Sequence, residues 1–121
     1  MRLLLWVMLA GGLGSGARYL AAVSTAGAAF PYATVIVNLA GCFLLGLVAQ
    51  LATAGSVNAE ARVVIAVGFL GGFTTYSSFN HETLGMMLSG AYGAAAMNIA
   101  ATLIGGLAAG AAGMAAGRLL A

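Results

Sequence analysis

Residues Gly68–Phe79 read GFLGGFTTYSSF: three glycines, then a run of hydroxyl side chains between Phe73 and Phe79, all inside an otherwise apolar span. A helix made only to rest in lipid has no use for such a segment. Glycine weakens or thins a helix, and Thr or Ser away from water must find hydrogen-bond partners, so the stretch is costly unless it serves a polar site. The segment predicts a break in a membrane helix, with something polar crossing at that level.

The composition around it sets the class. Hydrophobic residues make up 63% of the 121 and charged residues 5%, a surface that water could not wet. At about 20 residues per span, there is room for about four membrane helices and little else. The expected architecture is therefore an all-α membrane protein with four transmembrane helices, residues 1–121 forming a single integral membrane domain. The net charge of +2 comes from four arginines and two glutamates, too sparse for a nucleic-acid surface. The single Cys42 reads as a packing residue, and no His or Cys cluster has metal-ligand spacing.

Span one is expected from about Leu3 to Val23; its continuation past Arg18 favours a retained helix over a cleaved signal. Span two runs from about Tyr32, after Pro31, to Thr53, and Ala54 to Ala59 form a loop. Span three, about Ala61 to Leu88, is longer than a crossing requires and reads as two half-helices meeting near Gly71 to Thr75. Span four runs from about Gly93 to Arg118. Arg2, Arg62 and Arg118 fall on one face and Arg18 toward the other, a bias too weak to fix orientation. Glycines four residues apart (Gly12 with Gly16, Gly106 with Gly110, Gly113 with Gly117) predict close helix approach. Four short helices bury few polar groups on their own, which points to a homo-oligomer.

Asn38 falls about 9 Å along the helix from Tyr32, below the membrane surface, where its amide either bonds a neighbouring helix or offers a donor to an anion. Asn98 and Thr102 share one face of span four. Beyond the break, Tyr76, Phe79 and Thr83 share a face beside a second one carrying Thr75, Ser78 and Glu82, an aromatic ledge next to a hydroxyl track. Arg18, His81 and Glu82 are the ionisable residues in or near spans. Arg18 either snorkels to the headgroups or makes a vestibule electropositive. No nucleophile, base and acid can be assembled, and no GxxxxGK is present, so neither an enzyme nor a nucleotide-driven pump is expected.

With these residues in view, the chain resembles the small fluoride channels of the Fluc type, also called CrcB proteins. The resemblance rests on GGLGSGARY at Gly11 to Tyr19, VNLAGCFLLG at Val37 to Gly46, and GFLGGFTTYSSF followed by Glu82, in that order over four spans. It implies an antiparallel, dual-topology homodimer in the plasma membrane of a prokaryotic cell, passively exporting cytoplasmic fluoride through pores along the subunit interface. It further implies a structural sodium ion held by the carbonyls of Gly71 and Thr74. Asn38, Tyr76 and Phe79 become fluoride-path residues, with Ser77, Ser78 and Thr102 as further polar lining and Arg18 and Glu82 at the vestibule. Tyr76 departs from the Phe common in the family, Cys42 from a frequent Ser, and Asn80-His81 from smaller residues. Two rivals are a small multidrug-type proton-coupled exporter, which needs an acid in the first span where none exists, and a non-transporting membrane assembly subunit.

Overall fold

The computed structural model describes residues 1–121 as helices and short turns. Four helical spans are long and apolar enough to cross a membrane: Arg2–Ser24, Tyr32–Thr53, Ala59–Leu88 and Tyr92–Leu120. The first is α1, the second α2 and the last α6. The third comprises α3 (Ala59–Val63), a π-helical stretch (Val64–Phe69), α4 (Leu70–Phe73), two extended residues, and α5 (Tyr76–Leu88). The expected spans are all present.

Their ends have local causes. Pro31 precedes α2, where its missing N–H costs nothing. Helix α3 begins two residues earlier than the sequence suggested because Asn58 Oδ1 accepts from Ala61 N at 2.8 Å, capping the start. After α2 and α5 the chain turns through Gly55 and Gly90, with φ of 81° and 80°. Ser56 N then donates to Leu51 O at 2.9 Å and Ala91 N to Met86 O at 2.8 Å. These are Schellman closures, which require a residue in the left-handed region.

Glycines decide which helices touch. Gly46 of α2 lies against the Gly110 carbonyl of α6, and Gly113 and Gly117 of α6 lie on the Phe43 carbonyl and the Gln50 side chain. The α2 and α6 pair is the most extensive in the chain. Gly12 and Gly16 do not act this way: a Cβ at either would meet nothing within 4 Å. Their neighbours Gly11 and Gly14 make the close approach instead, because the third span packs one helical face away from the small-residue stripe.

Only 15 of 121 residues are buried, and the accessible surface is 7262 Å², against about 6,000 Å² for a compact soluble chain of this mass. Exposed side chains such as Leu13, Leu20, Val67, Ile104 and Leu107 cover most of the outside. Lipid, or another apolar surface, has to cover what this chain leaves open.

Candidate functional site

The break in the third span is made by Thr74 and Thr75, not by the glycines before them. Gly71 and Gly72 lie inside α4, while Thr74 (ψ 157°) and Thr75 (φ −151°, ψ 119°) are extended. The glycines have another use. A Cβ on Gly72 would run into the Gly11 carbonyl, and one on Gly68 would lie 2.9 Å from the Val7 carbonyl, so these positions let α1 approach the third span backbone to backbone. Gly41 of α2 accommodates the Thr74 methyl group in the same manner. A π-helical stretch, Val64–Phe69, precedes α4; no residue pattern marks it in the sequence, and two of its residues, Gly68 and Phe69, lie against α1.

Asn38 holds the break from the α2 side. Its Oδ1 accepts from Thr75 N at 2.8 Å and its Nδ2 donates to Thr75 O at 3.0 Å, so one side-chain amide takes both polar groups of one residue. At 9% exposure it has little water to turn to. Thr75 in turn caps α5: its Oγ1 accepts from Ser78 N at 3.2 Å and lies 3.1 Å from Ser78 Oγ and 3.3 Å from Ser77 Oγ. In an unbroken helix Thr75 N and Ser78 N would serve the carbonyls of Gly71 and Thr74 four residues back. Both donors are diverted, to Asn38 and to the Thr75 hydroxyl.

The two neighbouring carbonyls are differently occupied. Leu70 O accepts from Thr74 N at 2.9 Å and from Thr74 Oγ1 at 2.8 Å. Gly72 O accepts from Arg18 Nε at 3.0 Å, with Ser15 Oγ at 3.5 Å. Arg18 thus turns inward to the break; it does not run outward to the headgroups. Asn38, Gly41, Cys42, Gly71, Thr74, Thr75 and Tyr76 line one open groove of about 280 Å³.

Tyr76 stands at the rim of this groove, and the remaining candidates fall elsewhere. Tyr76 is 75% exposed and its ring leans on that of Phe79, centroids 5.7 Å apart, while Phe79 is buried beneath it at 7%. Phe79 O accepts from Thr83 Oγ1 at 2.7 Å, and Asn98 Nδ2 donates to Thr83 Oγ1 at 2.9 Å, tying α5 to α6. Asn98 Oδ1 and Thr102 Oγ1 are buried with no protein partner. Glu82 Oε1 accepts from Thr34 Oγ1 at 2.7 Å, and Glu82 Oε2 has no partner. Both residues line a second pocket of about 350 Å³ with Thr25, Phe30 and Pro31 at one end of the bundle. His81 and Ser77 are exposed. The sequence reading did not single out Ser15 or Thr34; each is a single hydroxyl in an apolar helix, visible as a signal only once its partner across the bundle is known. No group of His, Cys, Asp and Glu is arranged to hold a metal, so any cation here would rely on backbone or hydroxyl oxygens.

Four spans, a polar break near the middle of the third, and a side-chain amide clasping it define a small membrane protein built around an interrupted helix. The chain matches the family described as CrcB-like protein, Camphor Resistance (CrcB), over residues 5–114, and it belongs to that family. Among its relatives, the fluoride-specific ion channel FluC of Anaeromyxobacter dehalogenans is 47% identical over 110 residues, covering 88% of this chain and 87% of that one. A protein of the same name from Thermus thermophilus is 45% identical over 106 residues, 85% of each chain. That from Sorangium cellulosum is 42% identical over 121 residues, covering 95% and 94%. The chain is a multi-pass membrane protein, which in bacteria means the plasma membrane.

Proposed function

We propose that this protein is a fluoride-selective channel that lets cytoplasmic fluoride leave the cell passively, catalysing no reaction. The observation that carries the reading is that relatives named for fluoride conduction match along nearly the whole chain. Fluoride is small and strongly hydrated, so a path for it must replace water with compact donors that do not trap it. Asn38 uses one amide N–H on Thr75 O and keeps a second. The Thr102 hydroxyl is buried without a partner, and Ser77 and Ser78 stand at the start of α5. The positive ring edges of Tyr76 and Phe79 complete a donor set with no fixed charge in it. Glu82 Oε2 and Asn98 Oδ1 only accept, so they do not serve as anion ligands; Glu82 belongs to the vestibule pocket with Thr34.

The same reading takes the protein to act as an antiparallel, dual-topology homodimer. The extensive apolar exterior and the open groove at the break are what a second copy would cover. A sodium ion fits that arrangement. Gly71 and Thr74 line the groove, and their carbonyls have lost their usual donors to Asn38 and Thr75, which leaves oxygens of the kind a hard cation takes. Two copies would supply four such carbonyls. When bound, the ion would join the two breaks and supply fixed positive charge near the anion path. The multidrug-exporter alternative lacks its necessary acid, since the two glutamates are Glu60 and Glu82, both in the third span.

Efflux from liposomes containing the purified protein, followed with a fluoride electrode, tests the function. Fluoride release well above that of protein-free vesicles, with chloride retained, is the expected result. Release no faster than from empty vesicles, or equal chloride release, would sink it.

A further inference from the structure

Four residues of α1, Gly11, Gly14, Ser15 and Arg18, are spaced i, i+3, i+4 and i+7 and so occupy one helical face. All four meet the segment just before the break. The Gly11 carbonyl sits where a Gly72 side chain would be, Gly14 lies on the Phe69 carbonyl and Phe73 N, and Ser15 and Arg18 both reach Gly72 O. Arg18 is the far end of a docking face, half-buried, about 9 Å before the end of α1 at Ser24 by helical rise. A guanidinium at such depth is retained where it has protein to bond.

The geometry points to Arg18 as a positioning residue whose Nε–H, and not its charge, keeps the helix broken after Phe73. Gly72 O is one of the carbonyls that the C-terminal end of α4 leaves without a continuing ladder. Given a donor from α1, it has no need of the amide of Tyr76 four residues on, and α5 is free to start in its own direction from the Thr75 cap. Deprived of that donor, Gly72 O gains by recapturing the Tyr76 amide, and the extended pair Thr74 and Thr75 is pulled toward helix. Asn38 works on the same break from α2 through Thr75, so the interruption is clasped from two helices on two residues.

Side-chain lengths allow charge and donor to be separated. In Arg18→Gln, Nε2 follows the same number of bonds from Cα as Nε of arginine, which keeps an N–H near Gly72 O and removes the charge. Arg18→Met places a methyl group at that position and is equally neutral. Arg18→Lys keeps the charge, puts a methylene there and moves the donor one bond outward. Two measurements are made on the purified, reconstituted protein: deuterium exchange of the amides of residues 73–78, and fluoride efflux at saturating fluoride.

The expected result is that Arg18→Gln exchanges and conducts within about twofold of the unaltered protein, whereas in Arg18→Met the Tyr76 amide, newly bonded to Gly72 O, exchanges about tenfold more slowly, the change equivalent to about 1.4 kcal/mol, and the protein conducts about tenfold less. Equal behaviour of the Gln and Met variants would overturn the assignment. So would survival of Arg18→Lys alone, the pattern of a residue needed for its charge. The efflux measurement rests on the fluoride-channel reading and the exchange measurement does not. An unaltered protein with no flux therefore defeats that reading, while the exchange of the Gln and Met variants still decides Arg18.

Discussion

Asn38 shows how one polar residue can make a break in a membrane helix stable. An extended residue in an apolar bundle leaves an N–H and a C=O without partners, each expensive away from water. A primary amide presents a donor and an acceptor side by side without charge, and Asn38 directs both at Thr75. Asn38→Leu leaves that pair unsatisfied; it is expected to lower the unfolding midpoint in detergent, by about 1 to 3 kcal/mol in stability, and to abolish fluoride flux. An unchanged midpoint would mean that Thr75 finds other partners. Midway along α5, Thr34→Val removes the partner of Glu82 Oε1 while Oε2 already lacks one. Its cost is expected in the same range, and Thr34→Ser, which keeps the hydroxyl, is expected to restore the midpoint. The sequence offered Asn38 two roles, helix bonding or anion donor. Its two N–H groups permit both at once, which no inspection of position alone would decide.

At the level of the elements, close approach between helices depends on which glycines face a backbone. Gly113 lies on the Phe43 carbonyl in the α2 and α6 contact, and Gly12 faces open space, although both belong to the same four-residue spacing. Gly113→Ala is expected to force α6 away from α2 and cost about 1 to 3 kcal/mol. Gly12→Ala is expected to leave the monomer fold intact, with up to about 1 kcal/mol of gain from helix propensity. Thermal unfolding of the two variants under one condition checks this, and equal losses would contradict it. The spacing was plain in the sequence, but its use was not. A repeat of small residues defines a stripe on a helix, and only the direction of the neighbouring helix selects which stripe is filled.

The whole molecule has more apolar outside than core. That imbalance is what a bilayer supports and a soluble chain could not, and it leaves the groove at the break facing outward. On the homodimer reading, the protein component in detergent is expected to have a mass of about twice 11.9 kDa. Light scattering that returns the monomer mass would refute it. If sodium joins the two breaks, replacing all sodium by N-methylglucamine is expected to lower the unfolding midpoint, and adding sodium back to restore it. A midpoint indifferent to sodium would remove the ion from the site. Reporter fusions at Ala121 address orientation: dual insertion predicts signal on both sides of the membrane, and the arginine bias alone predicts one.

What the sequence determined by itself was everything carried by composition and chain order. Four spans follow from the length of the apolar runs, the start of the second from Pro31 and its end from the loop at Ala54 to Ala59, and the interruption of the third from hydroxyls placed where lipid tolerates none. The tertiary structure alone decided which atoms make the interruption. Gly71 and Gly72 are helical, Gly72 pressed against Gly11 of α1 and Gly71 facing the open groove, and the break falls at Thr74 and Thr75, where Asn38 and the Thr75 hydroxyl draw two amides out of the ladder. Arg18 and Ser15 acquired a shared carbonyl partner 54 and 57 residues away. The physical reason is common to these cases. Hydropathy and turn chemistry act between residues near in sequence, whereas the partner of a buried polar group is set by the rotation of one helix about its axis against another, which no local pattern encodes.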